Sequence, residues 1–250
     1  MDLYFEITGN GHPVVLVHSG GTDLREWTLL VSLLSKNYKV IAFDGRGAGK
    51  SPSPIKHVNY VEDVLALMDD LELNQAAIIG HSMGGQIATD LALNYPERVS
   101  KLVLIAPSLT GFSYSKEFEQ YHNEILEAAP NIDKMLELAL RSSTYQVVID
   151  SPLKDLIVRM LRHHFERMLK WPVDFCMKWP QPPAIERLEE LNPETLFFIG
   201  KKDLADNFRV ADCFRRVPNI RFVEIEDADH MLPLTHSENL YQEITAFMED

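Results

Sequence analysis

The chain is poor in cysteine and in basic residues, and it has no long hydrophobic run. Only Cys176 and Cys213 occur among 250 residues, and neither belongs to a Cys-x-x-Cys pair. A disulfide scaffold and a cysteine-based zinc site are therefore excluded. Lysine and arginine together number 24, against 37 aspartates and glutamates, for a net charge of −13. So acidic a chain is badly matched to a phosphate backbone, and it has no polybasic stretch for an anionic membrane. Its apolar runs fall far short of the roughly 20 residues that span a bilayer. The opening MDLYFEITGNGHP has early acids and lacks the basic and apolar regions of a signal peptide. These absences predict a cytoplasmic protein, monomer or homodimer, whose partner is a small-molecule substrate rather than nucleic acid or membrane.

What is present is an ordinary globular composition, 46% hydrophobic and 24% charged, which argues against a disordered chain. Surface scaling for this length gives roughly 11,000 Å² exposed when folded, against roughly 41,000 Å² unfolded. Residues 14–18, 40–43, 76–79 and 102–106 are continuous apolar runs, the pattern of strands buried on both faces of a parallel sheet. Between them, Val61, Val64, Leu65, Met68 and Leu71 repeat at helical spacing with acids opposite, and residues 86–95 do the same. Alternation of this kind predicts an α/β fold with right-handed crossovers. From 111 to 186 only helical periodicity is found. Its clearest helix, near 153–169, carries Leu153, Leu156, Ile157, Met160, Leu161, Phe165 and Met168 on one face. Strands resume at 195–199 and 221–225, with helices near 208–216 and through Leu240, Ile244 and Phe247.

Gly80-His81-Ser82-Met83-Gly84 follows one of these strands and opens a helix. This is G-x-S-x-G in the strand–turn–helix setting that gives the motif meaning. The turn demands small neighbours and projects the Ser82 hydroxyl from the sheet. A serine nucleophile needs a base and a group to orient that base. His230, in the loop after strand 221–225, is the candidate base. Asp203, after strand 195–199, is the candidate acid, with Asp206 its nearest rival. Asp227 and Asp229 stand too near His230 in sequence to reach its Nδ1 easily. For the oxyanion, the N–H of Met83 at a helix start is one candidate donor. Gly20 is the other, with Gly21 close behind.

These elements resemble the α/β-hydrolase superfamily over nearly the whole chain. They are Val17-His18-Ser19-Gly20-Gly21, Asp44-Gly45-Arg46-Gly47-Ala48-Gly49-Lys50-Ser51, Gly80 to Gly85, Gly200-Lys201-Lys202-Asp203 and Asp229-His230-Met231-Leu232-Pro233. The resemblance implies a mostly parallel doubly wound sheet, with a core of 1–110 and 187–250 and an inserted helical cap (lid) at 111–186. The family usually has Gly where Ser19 stands and often His where Ala48 stands. A serine nucleophile disfavours the dehalogenases and epoxide hydrolases of the superfamily, which use Asp.

The resulting expectation is a carboxylesterase-like hydrolase that cleaves an ester or lactone through an acyl-enzyme on Ser82, with no cofactor. Alternatives are a carbon–carbon bond hydrolase, an enol-lactonase of aromatic catabolism, to which Gly20, Thr22, Asp23, Leu24 and Trp27 are similar, and a slow-turnover receptor that keeps the triad. Gly47-Ala48-Gly49-Lys50-Ser51 resembles a phosphate loop, but Asp44 stands where its first glycine is required. His163 and His164 fall on opposite faces of their helix and cannot converge on a metal, so His164 is read as packed or pocket-lining. Residues 111–186 hold 9 basic and 11 acidic side chains, a less acidic balance than the rest. That would suit an anionic substrate held by Arg159, Arg162 or Arg167. Helical geometry instead sets these arginines opposite the apolar stripe, facing water, and predicts a mostly apolar pocket for neutral acyl groups.

Overall fold

The computed structural model describes residues 1–249. Its strands are β1 (Phe5–Thr8), β2 (His12–Val17), β3 (Tyr38–Phe43), β4 (His57–Val58), β5 (Ala76–His81), β6 (Val99–Ile105), β7 (Cys176–Met177), β8 (Thr195–Gly200) and β9 (Ile220–Ile225). The helices are α1 (Thr28–Leu34), α2 (Tyr60–Asp70), α3 (Met83–Asn94), α4 (Lys116–Glu127), α5 (Ile132–Ala139), α6 (Gln146–Ile149), α7 (Lys154–Met168), α8 (Ala205–Phe214), α9 (Leu232–Thr235) and α10 (Ser237–Glu249). Seven strands form one sheet in the order β1-β3-β2-β5-β6-β8-β9. β1 is antiparallel to β3, and every other pair in that sheet is parallel.

The continuous apolar runs are explained by the two layers that cover the sheet. Val15, Ile78, Leu102 and Phe197 point to one face, where Val64, Ile87, Leu91 and Phe214 pack on them. Their neighbours Leu16, Ile79, Val103 and Phe198 point to the other face, against Leu30, Leu34, Leu240 and Ile244. A strand whose side chains alternate between two buried faces has no polar face to show. The exposed area is 10943 Å², close to the roughly 11,000 Å² that scaling gives.

Between β6 and β8 the chain builds a third apolar cluster from α4 to α7, in which Met135, Val148, Ile157, Met160 and Leu161 join Met231 and Leu234. Two expectations for this stretch are corrected. It is not free of strand, because β7 pairs in parallel with β4, His57 opposite Cys176 and Val58 opposite Met177. Two residues are too short to leave a period in the sequence. Nor do all three arginines of α7 face water. Arg162 binds Asp133 at the surface, and Arg159 is exposed. Arg167 instead reaches back to the core and donates to the carbonyls of Gly47, Gly49 and Ser51 at 3.0, 2.8 and 2.5 Å. Its long stem follows the helix while its planar head serves turn carbonyls that need donors.

Asp90, fully buried on α3, accepts from Thr110 Oγ1 where the chain leaves for α4. Burial raises its pKa from 3.8 to about 6, against the pull of the Thr110 hydroxyl and the charge of Arg187. The folded state then holds the proton more tightly than the unfolded one. Stability falls as pH rises from 3.8 to about 6, and the ionised form above that window costs on the order of 3 kcal/mol. Asp90→Asn is therefore expected to raise Tm by several degrees at pH 7.5 and by nothing at pH 4, measured by thermal unfolding at both. A Tm below that of the parent at pH 7.5 would contradict this account.

Candidate active site

Ser82 joins β5 to α3 with φ 52° and ψ −116°. This backbone is strained for a residue with a Cβ, at about 1–3 kcal/mol. It persists because both sides hold it. Ser82 N–H donates to Ile105 O at 3.0 Å, and Ser108 N–H donates to Ser82 O at 2.9 Å. The flanking glycines are required by close approach. A Cβ on Gly84 would run into the Val17 and His18 carbonyls, and one on Gly80 into the Gly84 carbonyl. Strand and helix thus cross too tightly for any side chain but the one that points outward.

His230 follows β9 and is buried. Its Nδ1 lies 3.0 Å from Asp203 Oδ2 and 3.0 Å from Asn207 Nδ2. Of the two only the carboxylate accepts, so Nδ1–H belongs to Asp203. Asn207 spends an amide hydrogen on Asp203 Oδ1 at 2.7 Å, and Leu204 N–H reaches the same oxygen at 2.7 Å. Burial pushes the Asp203 pKa up, but the His230 charge and these hydrogen bonds outweigh it and hold it down. Burial pushes His230 down, and the attraction and hydrogen bond of Asp203 outweigh that and raise it. The other acids are occupied elsewhere. Asp206 binds the Ser115 hydroxyl and Arg209. Asp229 accepts from Val147 N–H at 2.7 Å and Met231 N–H at 2.9 Å.

Ser82 and His230 open onto one cavity of about 550 Å³, as do Gly20, Gly21 and Met83. Gly20 lies against the Met83 side chain, which brings the loop after β2 to the N-terminus of α3. Leu161, Phe165 and Met168 of α7 line the cavity from the other side. So does His164, which packs close to Gly21. Burial lowers its pKa to about 4, aided by the charge of Arg167, so its ring is uncharged at neutral pH. Arg46 is the only lysine or arginine among the described lining residues. Asp2 and Asp63 neutralise it, each with an oxygen at 3.0 Å. The phosphate-loop look-alike is likewise filled from within. Asp44 accepts from Leu24 N–H at 2.8 Å and Lys50 N–H at 2.7 Å, taking loop amides that would serve a phosphate. Among the described residues, no group of three His, Cys, Asp or Glu side chains is arranged to hold a metal ion.

A family model for the alpha/beta hydrolase fold matches residues 12–237. The chain belongs to that family. The dihydrolipoyllysine-residue acetyltransferase component of the acetoin cleaving system of Pseudomonas putida is 29% identical over 262 residues, covering 98% of this chain and 66% of that protein. The chain thus spans about two-thirds of that relative's length. Among solved structures, the enol-lactonase of Burkholderia xenovorans LB400 superposes with a TM-score of 0.82 at 22% identity, covering 99% of this chain and 96% of that one. A thermophilic esterase of Thermogutta terrifontis gives 0.81 at 24% identity, with 99% and 93% covered. At these identities the likeness is one of fold. As an alpha/beta hydrolase, the protein carries its loops at the C-terminal edge of the sheet, where sites of open α/β folds lie.

Sequence reasoning missed two polar residues of the site. Asn207 looks like an ordinary helix residue, and Glu26, beside Arg25, reads as part of a solvated face. Asp203→Asn is expected to lower kcat for an ester substrate by roughly 10³–10⁴, and Asp206→Asn far less. Larger damage from the Asp206 change would reassign the acid. Activity should rise with pH as His230 loses its proton. Because the His230 pKa is raised, the midpoint of that limb is expected above the usual imidazole value of about 6.5. A flat kcat/KM between pH 5 and 8 (the range in which an imidazole base titrates, roughly) would remove His230 as the base.

Proposed function

We propose that this alpha/beta hydrolase is a serine hydrolase of neutral carboxylic esters or lactones. The carrying observation is one cavity shared by Ser82 and His230, with apolar α7 side chains opposite and no unpaired lysine or arginine among its described residues. In this reading His230 Nε2 takes the Ser82 proton as Oγ attacks the substrate carbonyl. The oxyanion forms against the N–H groups of Gly20 and Met83. His230 then gives the proton to the departing alkoxide, and a water it activates releases the acyl group from Ser82. Asp203 holds the imidazole with Nδ1 protonated. The chemistry needs no cofactor. Residues 111–186 act as a cap over the core of 1–110 and 187–250, and Arg167 is one of its anchors.

Substrate charge follows from the same lining. A carboxylate brought into this cavity would be desolvated without a free cation to meet it. His164, neutral at physiological pH, offers hydrogen bonding without charge. No helix among the described residues is long and apolar enough to cross a membrane, and both cysteines are unpaired. These features fit a cytoplasmic enzyme acting on a small molecule.

Ser82→Ala should abolish turnover of p-nitrophenyl butyrate by about 10⁴-fold or more and leave the circular dichroism spectrum unchanged. Retention of a tenth of wild-type kcat would end the acyl-enzyme reading. A neutral ester should exceed an isosteric ester bearing a carboxylate in kcat/KM by about 10-fold or more, the penalty of an unpaired buried charge. Arg159→Ala and Arg162→Ala should leave that ratio unchanged. Preference for the anionic ester, lost in either variant, would favour the enol-lactonase alternative.

A further inference from the structure

Beneath Ser82 lies a second acid–imidazole pair that the proposed reaction does not use. His81, the last residue of β5, and Glu26 are both fully buried. His81 Nε2 lies 2.9 Å from the main-chain oxygen of His230. A carbonyl only accepts, so Nε2 carries a proton. His81 Nδ1 lies 2.8 Å from Glu26 Oε1. The Ser19 and Thr22 hydroxyls donate to Glu26 Oε2 at 2.7 and 2.6 Å, and Ser19 N–H approaches Oε1 at 3.4 Å. Both hydroxyls and the Ser19 amide offer Glu26 their hydrogens, the environment of a carboxylate. Burial raises its pKa, but the His81 charge and these hydrogen bonds outweigh that and bring it to about 2. Both ring nitrogens of His81 are thus occupied, one by the His230 carbonyl and one by Glu26.

A buried acid–imidazole pair is a poor source of stability, because desolvation offsets its attraction. Its connections point to another role. One end grips the backbone of the His230 loop. The other grips the loop that carries Gly20. The middle is bonded directly to Ser82. We propose that Glu26 and His81 are positioning residues that hold the oxyanion loop and the His230 loop in register with the nucleophile. The proposal rests on the serine-hydrolase reading of the site. Ser19 and Thr22 are the points at which Glu26 sets the direction of the Gly20 N–H, and the His230 carbonyl is the point at which His81 sets the depth of the imidazole.

The test is Glu26→Gln, which keeps the shape and an oxygen facing His81, while the Ser19 and Thr22 hydroxyls can turn to accept from the amide. The expected result is a folded protein whose kcat for p-nitrophenyl butyrate falls about 10- to 100-fold, as displacement of a catalytic group by about 1 Å produces. KM should change less than about threefold, since ground-state binding is untouched. Affinity for a butyl boronic acid, which forms a tetrahedral adduct on serine, should fall by the same factor as kcat/KM. A merely structural pair would lower Tm and leave both values intact in the folded fraction. Wild-type kcat/KM and boronate affinity in folded Glu26→Gln overturn the proposal. If that variant does not fold, Ser19→Ala decides. It removes one grip of Glu26 on the loop and should lower kcat and boronate affinity together, and no change in either overturns the proposal. Loss of Ser82 labelling by a fluorophosphonate in the wild type would instead defeat the hydrolase reading itself.

Discussion

The backbone of Ser82 is the constraint on which the site is built. Held at φ 52°, it requires a parallel strand to end directly beneath a helix start, with nothing larger than hydrogen at Gly80 and Gly84. That crossing needs β5 flanked by β2 and β6, because Val17 supplies the carbonyl against Gly84 and Ile105 takes the Ser82 N–H. The fold makes a poor local conformation affordable through contacts on both sides. The same geometry leaves the serine hydroxyl, the first amides of α3 and the loop after β2 around one small volume.

Charge around that volume is handled by internal pairing. Arg46 meets two carboxylates, Arg167 meets three carbonyls, and His81 meets Glu26. Each is satisfied before any ligand arrives. The polar groups left to the cavity are uncharged or belong to the proposed reaction. A chain with net charge −13 therefore encloses a space whose one lining arginine among the described residues is already paired.

The sheet was legible in the sequence because strands buried on both faces leave unbroken apolar runs, and the central strands lie within a residue or two of the runs at 40–43, 76–79 and 195–199. β1 escaped because three of its four side chains are exposed, so no run marks it. β7 is only two residues long. Asp203 and His230 were legible by position, each just past a strand. What local pattern does not carry is pairing across long separations. Glu26 meets His81 across 55 residues, and Arg167 meets Gly47 across 120. Nothing in the helical period of α7 distinguishes the arginine that turns back to the core from the two that do not.

The order of the strands has a consequence for how the site comes into being. β8 and β9 are the last strands made, and they form one edge of the sheet. Asp203 and His230 arrive with them. Until β9 docks against β8, the imidazole has no partner and the His81 N–H has no carbonyl to grip. Without that edge, Ser82 would stand on its elbow without the two side chains that the proposed reaction assigns to it. In the proposed reading, competence to react is thus a property of the closed edge of the sheet rather than of the elbow alone.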